Sequence, residues 1–74
     1  MDAKEFGRRF KAARLVTGYS QGEAARRMGI FRPRISEIEA GASIPHLPRL
    51  MEMIDLLGLD PRILFPEFFP VKKR

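Results

Sequence analysis

With 74 residues, no cysteine and a single histidine, His46, the chain has no disulfides, no thiolate metal sites and no histidine-cluster metal site. Its net charge of +5 is uneven: residues 1–41 carry nine basic and five acidic side chains, residues 42–69 two and four, and the tail ends in Lys72-Lys73-Arg74, so the basic first half suits a polyphosphate partner. A chain this short implies one domain, and such a domain buries only about 60% of its unfolded surface. There is neither an apolar run of ~20 residues nor a signal-like stretch in MDAKEFGRRF, so no membrane contact and a cytoplasmic location are expected.

Apolar residues recur three or four apart nearly throughout, and no segment alternates as a strand would, so the expected fold class is all-α. Phe6, Phe10 and Ala13, with Val16, predict helix one over 2–17, ended by Gly18. Ser20 and Glu23 make a capping box that opens helix two, 21–28, with Ala24, Ala25 and Met28 inward and Gly29 as its stop. Helix three, 32–40, turns Ile35 and Ile38 inward, accommodates Pro33 in its first turn and closes at Gly41. Pro45 precedes helix four, 46–57, where Leu47, Leu50, Met53, Ile54 and Leu57 form a core stripe before Gly58. Asp60 caps a short helix five, 61–65, that begins at Pro61; Pro66 and Pro70 leave the end irregular. The expected organisation is a five-helix domain over 1–69 and a basic tail over 70–74.

Residues 21–38 carry the functional signal. Two short helices meet through a tight turn, for which Ala25 supplies a small packing residue and Gly29 the freedom to take positive φ. Ile30, Ile35 and Ile38 hold the pair together, so the start of helix three projects outward at the width of a DNA major groove. A second feature lies downstream. Met51 and Leu56 fall off the core stripe of helix four, and Ile63, Phe65, Phe68 and Phe69 follow. One small unit does not easily cover them all, so they are expected to form a second apolar surface; the alternative is that Phe68 and Phe69 fold back over their own core. The chain carries no nucleophile–base pair, metal cluster or phosphate-cradling glycine loop, so neither an enzyme nor a cofactor is expected.

Arg14, the stretch YSQGEAA, the Gly29 turn, ISEIEAG from Ile35 to Gly41, and Pro45 with Leu47, Leu50, Leu57 and Gly58 stand in one register. On these marks, residues 6–65 resemble the phage-repressor, Cro-like helix-turn-helix family, also called the xenobiotic-response-element (XRE) family. The resemblance implies a homodimer that reads double-stranded DNA in the major groove. Gln21 resembles the glutamine that hydrogen-bonds a phosphate at the helix start. Phe31, Arg32, Pro33 and Glu37 occupy base-reading positions, with Arg34 and Ser36 alongside at phosphate reach. Arg14 and Glu39 resemble a buried structural ion pair. The last helix commonly forms the twofold contact, which assigns Met51, Leu56, Ile63, Phe65, Phe68 and Phe69 to it.

Where relatives often carry glutamines, this chain has Arg32, Pro33 and Glu37. Arg32 suits guanine O6 and N7, and Glu37 suits cytosine N4. Pro33 offers only a thymine-methyl contact, and Phe31 either does the same or packs. The loop after helix three lacks the Lys or Arg that many relatives aim at phosphate, which leaves backbone N–H groups and Ser43. The implied function is a sequence-specific transcriptional regulator, a repressor or autoregulatory switch, on an inverted-repeat operator. The alternative is a protein-binding module, antiactivator or antitoxin-like, on the same scaffold.

Overall fold

The computed structural model describes residues 1–69; the basic tail assigned to 70–74 lies outside the described residues. Five helices follow one another: α1 (Ala3–Thr17), α2 (Gln21–Met28), α3 (Arg32–Ala40), α4 (Leu47–Leu57) and α5 (Pro61–Leu64). Among the described residues there is no strand, and the fold class is all-α as the periodicity predicts. Each boundary has a local cause. Asp2 accepts the Glu5 N–H to start α1, which therefore begins one residue later than expected. Ser20 and Glu23 exchange both bonds of a capping box at the head of α2, and the Ser20 backbone N–H holds the Glu23 carboxyl below its usual range. Asp60 takes the Arg62 N–H to start α5. His46 occupies the N-cap of α4, but its side chain makes no capping bond.

The core is built on i, i+3 and i+4 spacing. Phe6, Phe10 and Ala13 of α1 meet Ala24, Ala25 and Met28 of α2, Ile35 and Ile38 of α3, Leu50, Met53 and Leu57 of α4, and Leu64 of α5. Leu59, unassigned by the periodicity because it follows the α4 stop, is buried with them. Two residues counted inward from spacing alone are outside: Val16 is 71% exposed and Leu47 is 68% exposed. On α1, the buried positions after Ala13 run on to Arg14, so the inner stripe turns away from Val16. On α4, Leu50, Met53 and Leu57 complete the inner stripe without Leu47, which stands in the first turn.

The helix contacts of α1 are of two kinds. Against α3, the backbones come within reach of one another. A Cβ built on Gly7 would lie 2.5 Å from the Ile38 carbonyl oxygen and 2.7 Å from that of Glu39. One turn on, Gly41 closes α3 at φ +85°, with Lys4 Cα only 2.8 Å from where its Cβ would stand, so only glycine meets both demands there. Against α5, the contact is made by side chains. The Phe65 ring lies 6.4 Å from that of Phe6, in tilted geometry. Arg9 Nη1 and Nη2 donate to the two Glu67 oxygens at 3.1 and 3.0 Å, and Nη1 also donates to the Leu64 carbonyl at 3.2 Å.

This arrangement corrects part of the surplus apolar surface. Ile63 and Phe65 are half-buried against their own core, because α5 doubles back onto α1. Met51, Leu56, Phe68 and Phe69 remain exposed.

Candidate nucleic-acid interface

The helix-turn-helix is set by the turn between α2 and α3. Gly29 takes φ +67°, and the Ile30 N–H reaches back to the Ala25 carbonyl at 3.0 Å. Ile30 packs partly against the core. Phe31 then caps α3 with extended backbone and no side-chain bond, its carbonyl accepting the Arg34 N–H at 3.0 Å. At 100° per residue, Arg32, Pro33, Ser36, Glu37 and Ala40 share one side of α3, opposite Ile35 and Ile38. They line one open groove, and all five are exposed.

Behind this face runs a chain of polar contacts into the core. Arg14 Nε and Nη2 grip the two Glu39 oxygens, the second at 3.0 Å, while Nη1 donates to the Tyr19 carbonyl at 2.7 Å. Only 6% of the Arg14 side chain and 4% of that of Glu39 is exposed. The hydrogen bond that Arg14 donates to Glu39 is the largest of the influences that raise the Arg14 pKa above its usual value; burial works against it. Glu39 Oε1 also accepts from Gln21 Nε2 at 3.1 Å, and Gln21 Oε1 accepts from Arg32 Nε at 3.4 Å. The first residue of α2 thus bridges a buried ion pair to the first residue of α3. Among the described residues, no buried side-chain nitrogen or oxygen lacks a partner.

Gln21 is half-buried, with its amide turned to Glu39 and Arg32 rather than outward. A polar hollow in front of it is lined by Lys11, Arg14, Ser20, Gln21, Gly22 and Arg32. Lys11 and Arg32, both exposed, stand there beside the start of α2, an arrangement suited to an anion. Arg34 lies on a different side of α3 from the groove. It donates to Ser43 Oγ at 2.7 Å and sits 3.8 Å from Glu37, so Arg34 and Ser43 engage each other across the α3–α4 loop. Ser36 stands in the groove with Glu37.

Four structural residues escaped the sequence. Gly7 carried a signal, since glycine inside a helix weakens it by about 1 kcal/mol relative to alanine unless packing demands it. Tyr19 supplies its carbonyl to Arg14 and its ring to Arg27, whose guanidinium carbon lies 4.5 Å from the ring centre. The Arg9–Glu67 tie spans 58 positions, and nothing local announces it.

Among the described residues, no helix is long and apolar enough to cross a membrane. A family model described as a helix-turn-helix domain matches residues 5–65. The chain is also 33% identical, over 66 residues, to the uncharacterized HTH-type transcriptional regulator YazB of Bacillus subtilis (strain 168), a match covering 89% of this chain and 96% of that one. Both matches take in the turn at Gly29, the outward start of α3 and the ion pair behind it, and the chain belongs to the XRE-like family of helix-turn-helix proteins.

Proposed function

We propose that the protein is a sequence-specific transcriptional regulator, a repressor or autoregulatory switch, that binds double-stranded DNA as a homodimer through α2 and α3. The observation that carries this is the bridge from Arg14 and Glu39 through Gln21 to Arg32. It holds a cationic side chain in place on the outward end of α3, beside a hollow suited to a phosphate. Phosphates meet the α2 end with Lys11, and base edges meet Arg32, Pro33 and Glu37. The Arg34–Ser43 contact braces the loop beside them and releases Arg34 for phosphate only if that bond is exchanged.

The homodimer draws support from what remains uncovered on the side poorer in positive charge: Met51 is 61%, Leu56 51%, Phe68 78% and Phe69 49% exposed. A twofold axis there sets the recognition helices about 34 Å apart and calls for an inverted repeat. Occupancy then follows protein concentration by mass action. Glu37 favours a second reading, a protein-binding module, because it sets an exposed carboxylate on the face that would meet a polyanion.

A gel shift tests the proposal: DNA from upstream of the protein's own gene, competed with random-sequence DNA, is expected to give a shifted band that resists the competitor. Sedimentation equilibrium at micromolar concentration is expected to show a dimer that Phe68→Asp with Met51→Asp converts to monomer. Loss of the shifted band to equal random competitor would favour the protein-binding reading, and a monomeric wild type on a palindromic duplex would end the dimer.

A further inference from the structure

We propose that Arg9 is a positioning residue for self-association: it holds the turn from Phe65 to Phe69 against α1, so that the Phe68 and Phe69 rings stand ready to meet a second copy of the chain. The role rests on the homodimer proposed above and adds to it a residue that lies outside the contact itself.

The chain after α5 has little order of its own. α5 is four residues long, and Phe65 ends it at φ −136°, outside the helical range. Beyond it, the Phe65 carbonyl accepts the N–H groups of Phe68 and Phe69, both at 3.0 Å. One hydrogen-bonded turn does not persist in water without outside support. Two supports come from α1. The Phe65 ring packs on that of Phe6. The Arg9 guanidinium bonds to the Leu64 carbonyl and to both Glu67 oxygens, so it grips the chain on either side of Phe65. Among the described residues, the hydrogen bonds that join residues 66–69 to another element are those from Arg9 to Glu67.

Arg9 is itself held. Its Nε donates to Glu5 Oε2, one turn earlier on α1, at 2.9 Å, and its side chain is half-buried. All three nitrogens of a planar fork are therefore engaged, which fixes direction as well as distance.

The purpose of the clamp follows from what it holds. For folding, a solvated pair of this kind is worth little, and neither Phe68 nor Phe69 enters the core. The clamp instead keeps two neighbouring phenyl rings in water. Rings on a loose chain end must be ordered as they associate. Rings on a clamped turn are ordered beforehand, and that part of the cost of association falls. A twofold axis brings like to like, so an apolar pair on a fixed backbone meets its own copy without any change of chemistry.

The test breaks the clamp from either partner. Glu67→Arg sets like charges against each other, and Arg9→Met removes the donors while keeping an apolar stem. In dilute, monomeric protein, hydrogen exchange is expected to find the Phe68 and Phe69 amides protected in the wild type and free in both variants, with the α1 amides unchanged. The Tm of both variants is expected to stay within a few degrees of wild type. Sedimentation equilibrium is expected to show the dimer dissociation constant raised about tenfold in each, the scale of two ring-bearing residues left to be ordered on association. The role is overturned if the amides stay protected in both variants, if they are freed without weakening the dimer, or if the Tm falls in step with the dimer. A wild-type dimer that both variants leave unchanged removes Arg9 alone. A wild type that is monomeric in solution and on a duplex enriched from a randomised library removes the homodimer reading and this role with it.

Discussion

The two flanks of α1 use the same chemistry to different ends. Toward α3, Arg14 grips Glu39 in a place from which water is almost excluded; toward α5, Arg9 grips Glu67 at the surface, with half of the glutamate side chain exposed. Both are two-pronged guanidinium–carboxylate pairs. At the surface, each partner is solvated whether or not the other is present, so for folding little depends on the contact. In the interior, each is the other's only opposite charge, with neutral partners in Tyr19 and Gln21, and removing one strands a charge. The backbones follow the same division. Gly7 lets α1 and α3 come into main-chain contact, whereas α5 rests on α1 through the Phe6 and Phe65 rings. The rigid flank is the one that leads, through Glu39 and Gln21, to the start of α3.

Arg14→Ala is expected to have the largest effect, a loss of about 3–5 kcal/mol, or roughly 15 °C or more in Tm for a chain this small. It is measured by thermal unfolding followed by circular dichroism. A Tm within a few degrees of wild type would show that the buried flank is no different from the exposed one.

Gly7→Ala comes next. Alanine gains about 1 kcal/mol in helix propensity, but its Cβ would overlap two backbone carbonyl oxygens that no rotamer change can move. A net loss of about 1–3 kcal/mol is expected, visible as a lower urea midpoint. A stabilised variant would mean that α1 and α3 slide apart freely, and the division into rigid and compliant flanks would fall.

The smallest effect belongs to Glu67→Gln. Its carboxyl lies below the usual range, chiefly through the Arg9 hydrogen bond. A folded-state pKa below the unfolded one contributes stability that is present above the unfolded value and is lost as pH falls through the folded value. The wild-type Tm should therefore drop on acidification below pH ~4, with Glu5 contributing in the same direction through Arg8 and Arg9. Glu67→Gln should change the Tm little at pH 7 and flatten part of the acid limb. A loss at pH 7 comparable with that of Arg14→Ala would overturn the comparison from its other side.

Much of this was legible in the residues because the signals are local. The stops at Gly18, Gly29, Gly41 and Gly58 all take positive φ in the structure, and the Ser20–Glu23 box and the Asp60 cap are spelled within four residues. What was not legible depends on how distant segments meet. The spacing that sends Ala13 inward also admits Val16, and only the packing of α2 and α3 decides between them. Ile63 and Phe65 read as surplus until α5 is seen folded onto α1. Gly7, a glycine inside a helical span, signals a close approach, but its partner at the end of α3 is set only by the packing. At the site, the family resemblance implied outward roles for Gln21, Arg34 and Ser43. Their actual bonds, to Glu39 and to each other, need the turn geometry.

The central claim is that the groove side of α3 reads bases, with Arg32 as its principal contact. The direct measurement is the affinity of wild type and Arg32→Ala, by fluorescence anisotropy at fixed salt, for an enriched duplex and for random DNA. The expected result is a loss of about 1–3 kcal/mol on the enriched duplex, a relaxed preference at one base pair, and a much smaller change on random DNA. Equal losses on both would reduce Arg32 to a phosphate contact, and no loss on either would place the DNA-binding surface away from α3.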